Sequence, residues 1–135
     1  MTPEIFKGLV AQVTRELAGR PVDGALAQFL NERFPASGEV FQNIAQACRD
    51  AVAAGWMCDR EHGGIRYGRV VEACPELDGF SVDVVEMADV VGPQHAHPNG
   101  EIDMIMPLDG NPTFDGHGAG WFVYEPGSVH RPTVI

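Results

Sequence analysis

Three imidazoles and a carboxylate are gathered in two short stretches of this chain: His95-Ala-His97-Pro-Asn-Gly-Glu101, and further on Gly127-Ser-Val-His130. Imidazole nitrogens with a carboxylate oxygen form a complete first shell for a divalent transition metal such as Zn, Fe, Mn or Ni. Three or four such ligands leave coordination positions open for water or a substrate. Spacing matters as much as residue type. In an extended strand residues i and i+2 point to one face, so His95 and His97 present both rings on the same side. Glu101 keeps that parity if the intervening turn preserves register. An H-x-H pair on an exposed strand is common and says little alone; the acid at this offset and the downstream G-x-x-H make His95, His97, Glu101 and His130 a candidate ligand set.

The elements that must position these residues fall into two regimes. Ile5, Leu9, Val13 and Leu17 recur at i+4 with Phe6 and Val10 beside them, after Thr2 as N-cap and Pro3 in the first turn, and Gly19 then Pro21 end this helix. A second helix, about Gly24 to Arg33, carries Leu26, Phe29 and Leu30 and is closed by Pro35. The third follows Ser37 with Val40, Phe41, Ile44, Ala45, Cys48 and Val52 in one stripe, and stops at Gly55. After Gly63-Gly64 the period changes. Ile65 to Val71, Phe80 to Met87, Glu101 to Met106 and Gly120 to Tyr124 are short, β-branched or aromatic, and separated by Gly, Pro, Asn and Asp clusters, the pattern of a small antiparallel barrel or sandwich. The expected class is α+β: a helical segment over residues 1–60 packed on a β-structure over residues 61–135, one structural domain overall.

Composition narrows the function. A chain of 135 residues has room for one ordinary domain. Nine basic against 19 acidic side chains give a net charge of −10, which disfavours a nucleic-acid surface, where affinity comes from cations neutralising phosphates. The same balance argues against reading the three helices and a hairpin as a DNA-binding module. Residues 61–135 hold 12 of the acids and only 3 of the bases, so the half with the histidines favours cations. Three cysteines without C-x-x-C spacing indicate neither a disulfide framework nor a zinc ribbon, and the expected compartment is the reducing cytoplasm. No run approaches the roughly 18 apolar residues of a membrane span, and no export signal is read at the N-terminus.

Around the candidate ligands, parity distributes further roles. Glu101, Asp103 and Ile105 share one strand face, and Ile102, Met104 and Met106 the other. If Glu101 faces a metal, the apolar back needs cover from the helices or from a second subunit, so a homodimer is expected as one solution. Asp103 then points inward as a general base or as an orienting partner of a ligand. His117, in Gly116-His-Gly-Ala-Gly120, and Tyr124 are candidate acids. Trp121, Val123 and Glu125 alternate with Phe122 and Tyr124, so only one set lines the pocket, and Trp121 is a candidate substrate contact. Arg66, Arg69 and Arg131 are the only Lys or Arg side chains after position 60, and any of them is a bidentate partner for a carboxylate substrate. For each of the three a surface salt bridge is the plainer alternative.

The order H-x-H-x3-E, a gap, then P-G-x-x-H resembles the two-part signature of the cupin superfamily, which implies a jelly-roll type β-barrel with the metal inside and His95, His97, Glu101 and His130 as ligands. In the second half Pro126 stands directly before Gly127 instead of two residues before it, a departure at the turn leading to His130. More closely, the segments His95-Ala-His-Pro-Asn-Gly-Glu-Ile-Asp-Met-Ile105 and Trp121-Phe-Val-Tyr-Glu-Pro-Gly-Ser-Val-His130 resemble the 4-hydroxylaminobenzoate lyase family, short cupins with an N-terminal helical segment. That resemblance implies conversion of 4-hydroxylaminobenzoate, a small aromatic carboxylate, to 3,4-dihydroxybenzoate (protocatechuate) with release of ammonia. No external reductant is implied, since the N–O bond is itself the oxidant. A cupin dioxygenase or isomerase acting on another small aromatic or sugar would use the same metal site, and a ligand-binding cupin without catalysis is the non-enzyme alternative.

Overall fold

The computed structural model describes residues 1–135. The chain divides into two compact units, one from Met1–Gly19 and Ser37–Met87, the other from Arg20–Ala36 and Ala88–Ile135. Each unit combines helix and strand, and along the chain the three helices come before the strands.

In the first unit, helix α1 (Pro3–Leu17) starts where the Thr2 hydroxyl accepts the Ile5 N–H at 3.2 Å. Its buried stripe is Phe6, Val13, Thr14 and Leu17, while Ile5 is exposed. Helix α3 (Glu39–Ala54) buries Phe41, Ile44, Ala45, Ala47, Cys48 and Ala51, and ends at Gly55, whose φ of 88° is left-handed and suits glycine. Helix α1 packs on α3 and on a 3-10 turn (Pro75–Leu77) whose Leu77 is fully buried. Strands β1 (Arg60–His62), β2 (Ile65–Val71) and β3 (Val82–Glu86) form an antiparallel sheet in that order. Across it Arg66 pairs with Glu86 at 2.7 Å, and Arg69 pairs with Asp83 and Glu72.

In the second unit, helix α2 (Gly24–Arg33) is capped by Asp23, which accepts the Leu26 N–H at 3.1 Å. Three antiparallel ribbons follow. Strand β4 (Val90–Val91) pairs with β9 (Thr133–Val134), β5 (His95–His97) with β8 (Ser128–His130), and β6 (Glu101–Ile105) with β7 (Gly120–Tyr124). No barrel closes: the strands pair as one three-stranded sheet and these three ribbons, and the two- and three-residue strands are too short for a continuous ladder. No helix is long and apolar enough to cross a membrane.

Helix α2 lies against β7. The Asn31 side-chain amide donates to the Trp121 carbonyl and its oxygen accepts the Trp121 N–H, both at 2.9 Å, while the Trp121 indole N–H donates to the Phe34 carbonyl at 2.8 Å. Trp121 stands opposite Met104 and Val123 opposite Ile102, and directly opposed side chains share a face. Trp121 and Val123 are both buried. The apolar back of β6 is half-buried beside these two side chains, and nothing in the fold supports the second subunit expected from the sequence. Trp121 is buried, and its indole bond anchors β7.

Gly120 allows this contact. A Cβ there would come 2.6 Å from Asn31 Oδ1, and its φ of 135° suits only glycine. Asn31→Ala removes both hydrogen bonds to the Trp121 backbone and should cost about 1–3 kcal/mol. The urea-unfolding midpoint measures this, and an unchanged midpoint would refute the clamp.

Candidate metal centre

The register of β5 and β8 sets His95 directly opposite His130 and His97 opposite Ser128. His95, His97 and His130 consequently lie on one face of the ribbon, with Ala96 and Val129 on the other. Two turns fix this register. In Glu125-Pro126-Gly127-Ser128, the Ser128 N–H donates to the Glu125 carbonyl at 3.1 Å, with proline second and glycine third at a φ of 82°. That is the type II pattern, which needs positive φ at its third residue. Pro126 directly before Gly127 thus builds the turn that delivers His130. In the other turn the Gly100 N–H donates to the His97 carbonyl at 3.1 Å, and the same carbonyl accepts the Gly127 N–H at 2.8 Å.

The donor atoms of His95, His97 and His130 all lie within 4.8 Å of one another. His97 Nε2 and His130 Nε2 are 2.7 Å apart, and the His95 ring stands edge-on to both neighbours with centroids at 4.8 Å. Glu101 lies at the edge of this cluster, its Oε2 3.4 Å from His97 Nε2. Burial, assisted by the charges of His95 and His130, holds the His97 imidazole below the usual histidine range against the pull of Glu101. An unprotonated imidazole is the ligand form. His95 Nδ1 lies 3.2 Å from the Pro93 carbonyl, which can only accept, so Nδ1 carries the proton and Nε2 is left for the cluster. Three imidazoles with an adjacent carboxylate fit a divalent transition ion.

Beside the histidines stands Tyr124. Its ring stacks on that of His130 with centroids 4.1 Å apart, and its hydroxyl donates to Asp115 Oδ2. Burial and the bond to Asp115 push the phenol well above its ordinary range, so it keeps its proton. Asp115 also faces His130 Nδ1 at 2.7 Å and accepts the Thr133 N–H at 2.8 Å. Burial opposes its ionisation, but the bonds from Tyr124, His130 and Thr133 prevail and hold it below the usual carboxylate range. Asp115 lies outside both histidine motifs. Its signal was Asp115-Gly116, a two-residue hairpin dipeptide between Phe114 and His117.

The other candidates are dispersed. Asp103 shares the Glu101 face; burial, a hydrogen bond with Glu101 and the charges of Glu101 and Asp115 push its carboxyl up to about 9, and its Oδ2 has no partner. His117 is exposed and stacks on Phe122 at 3.8 Å, and Phe122 meets Tyr124 edge-on. Arg66 and Arg69 belong to the first unit and are committed to ion pairs there. Arg131, in the second unit, is exposed and makes no ion pair.

The chain is a small α+β protein in which three histidines on paired antiparallel strands, with a hydrogen-bonded tyrosine against them, lie close enough to hold a metal ion. The family model described as PnbB, 4-hydroxylaminobenzoate lyase, matches residues 8–135, and the chain belongs to that family. Two relatives bear the same name. A 4-hydroxylaminobenzoate lyase of Nocardioides sp. (strain LMS-CY) is 34% identical over 142 residues, covering 98% of this chain and 84% of its own length. One of Pseudomonas putida is 31% identical over 144 residues, covering 94% and 82%. No solved structure matches.

Gly100 is the most constrained position near the cluster. A Cβ there would stand 2.7 Å from the Tyr124 carbonyl oxygen and 2.8 Å from Val22 Cγ1, at a φ of 80°. Gly100→Ala should lower stability by about 1–3 kcal/mol through strain and lost approach of the two ribbons. Chemical denaturation reads the loss, and a variant as stable as the parent contradicts it.

Proposed function

We propose that this protein is a metal-dependent lyase that converts 4-hydroxylaminobenzoate to 3,4-dihydroxybenzoate with release of ammonia, at a cupin-type centre of His95, His97, His130 and Glu101. The observation that carries this reading is the convergence of three imidazoles from two strands in register, with Tyr124 stacked on one of them, in a chain of this family. The reaction balances without an external redox partner. Substrate plus water gives the dihydroxy acid plus ammonia; a ring carbon is oxidised as the N–O bond breaks.

A divalent transition ion, when bound, supplies Lewis-acid polarisation of the hydroxylamino group or of water. The chain supplies binding and proton handling. Tyr124 holds its proton beside the centre with its hydroxyl fixed by Asp115, and serves as the general acid. Asp103, its carboxyl pushed up to about 9 by burial and the neighbouring acids, is a second reservoir of a proton on the same strand face. His117 and Phe122 form an aromatic wall of the kind that takes the flat face of a benzoate ring, and His117, exposed to solvent, exchanges protons with it. Of the three arginines, Arg131 is the one without a carboxylate partner and in the histidines' own unit, and we assign it to the substrate carboxylate.

The test is turnover by purified protein loaded in turn with Zn, Fe, Mn and Ni, following ammonia and dihydroxybenzoate. Ammonia release equal to substrate consumed is expected with at least one ion. Failure with all of them rules the reading out, and oxygen uptake without ammonia moves it to a dioxygenase. His97→Ala should lose bound metal on elemental analysis and lower turnover by at least about 100-fold; unchanged metal content would overturn the ligand assignment. Because the imidazoles must be unprotonated to bind, metal should also be released on acidification, and the lowered His97 moves that release to more acid pH than an ordinary histidine would set.

A further inference from the structure

Asp115 is held from three sides. Its Oδ2 accepts the Tyr124 hydroxyl and lies 2.7 Å from His130 Nδ1, while Oδ1 accepts the Thr133 N–H at 2.8 Å. The Asp115 side chain is 13% exposed and that of His130 9%. A carboxylate only accepts, so the proton between the two residues sits on Nδ1 of His130. Nε2 is left with its lone pair, 2.7 Å from His97 Nε2.

The backbone that carries this carboxylate is equally fixed. Asp115 and Gly116 both have positive φ, 49° and 84°, and form the loop of a two-residue hairpin. Phe114 and His117 close it with reciprocal N–H to carbonyl bonds of 2.8 and 2.9 Å, and the Asp115 N–H donates to the Thr133 carbonyl at 2.8 Å. The turn is thus stitched to β9, three residues after His130. Tyr124 completes a closed triangle, stacked on the His130 ring and bonded to the Asp115 oxygen that faces the same ring.

We propose that Asp115 is the positioning residue of the centre: its carboxylate holds His130 in the tautomer that offers Nε2 to a divalent cation, and the same oxygen fixes the Tyr124 hydroxyl against that ring. This rests on reading His95, His97 and His130 as metal ligands, and adds the group that orients one of them and couples it to the tyrosine. A carboxylate behind a ligating histidine sets ring orientation and raises its basicity, and its removal typically lowers metal affinity about 10- to 100-fold.

Two measurements test this, neither using substrate. Long-range 1H–15N correlation spectra of the metal-free wild-type protein, with His130 assigned by comparison with His130→Gln, should show the Nδ1–H form; an Nε2–H form overturns the proposal whether or not any variant folds. Titration with Co2+ alone, read by its visible absorption, should show Asp115→Asn binding about 10- to 100-fold more weakly than wild type while its urea midpoint is retained. Equal Co2+ affinity in the two proteins overturns it. Wild-type protein that binds no Co2+ overturns the ligand reading and this inference with it. Wild-type protein that binds Co2+ through an Asp115-dependent His130, yet does not consume 4-hydroxylaminobenzoate, supports this inference and sinks only the proposed reaction.

Discussion

Both halves of the histidine motif are tied together at one atom. The His97 carbonyl oxygen accepts the Gly100 N–H from the turn that follows the first half and the Gly127 N–H from the turn that opens the second. Without these two bonds β5 and β8 would be three-residue strands with little to set their register, and a slip of one residue would send His130 to the face of Ala96 and Val129. Both glycines have positive φ, so the same residues that permit the turns bring their N–H groups to one acceptor. The centre depends on this junction because three imidazoles on two short strands converge only in one register.

The second constraint is the division of β6 and β7 into two faces. One face carries Ile102, Met104, Trp121 and Val123, and α2 lies against β7. The other carries Glu101, Asp103, Phe122 and Tyr124. The Asn31 clamp and the Trp121 indole bond are polar contacts made at the border of an apolar surface, and they orient the ribbon more narrowly than packing alone, since each has one partner and one direction. A shift of β7 along its axis would break them and displace Tyr124 from His130 together.

What the sequence showed was what lies within a few residues. The first and third helices are bounded at Thr2 and Gly55 and the second ends before Pro35 for local reasons of capping and proline geometry, and β2 and β7 are bounded as their β-branched and aromatic runs indicate. The shared face of His95 and His97 followed from strand parity. Long-range pairing was not legible: the two-residue strands β4 and β9 carry no periodicity, and a barrel inferred from strand count did not survive strands this short. Nor did sequence order reveal that α2 belongs with β7, because the residues that bind them, Asn31 and Trp121, are 90 positions apart. Asp115 escaped for the same reason. As a turn residue it looked complete, and its three partners, Tyr124, His130 and Thr133, become neighbours only when the hairpin folds back onto β9.

Three carboxylates share the environment of the histidines, and their surroundings give them different work. Asp115 receives three hydrogen bonds and stays ionised; Asp103 has an unpartnered oxygen, lies buried near two other acids and stays protonated. Glu101 lies beside the histidines, its Oε2 3.4 Å from His97 Nε2. Groups of one chemical type driven apart in this way are how a small site holds an acceptor and a donor at the same pH. Here the acceptor stands behind His130, where a fixed negative charge orients an imidazole, and the protonated acid lies on the Glu101 strand. The acidic excess of residues 61–135 is therefore more than a solvated surface at this one place: two of its members differ in charge because the fold gives one of them donors and denies them to the other.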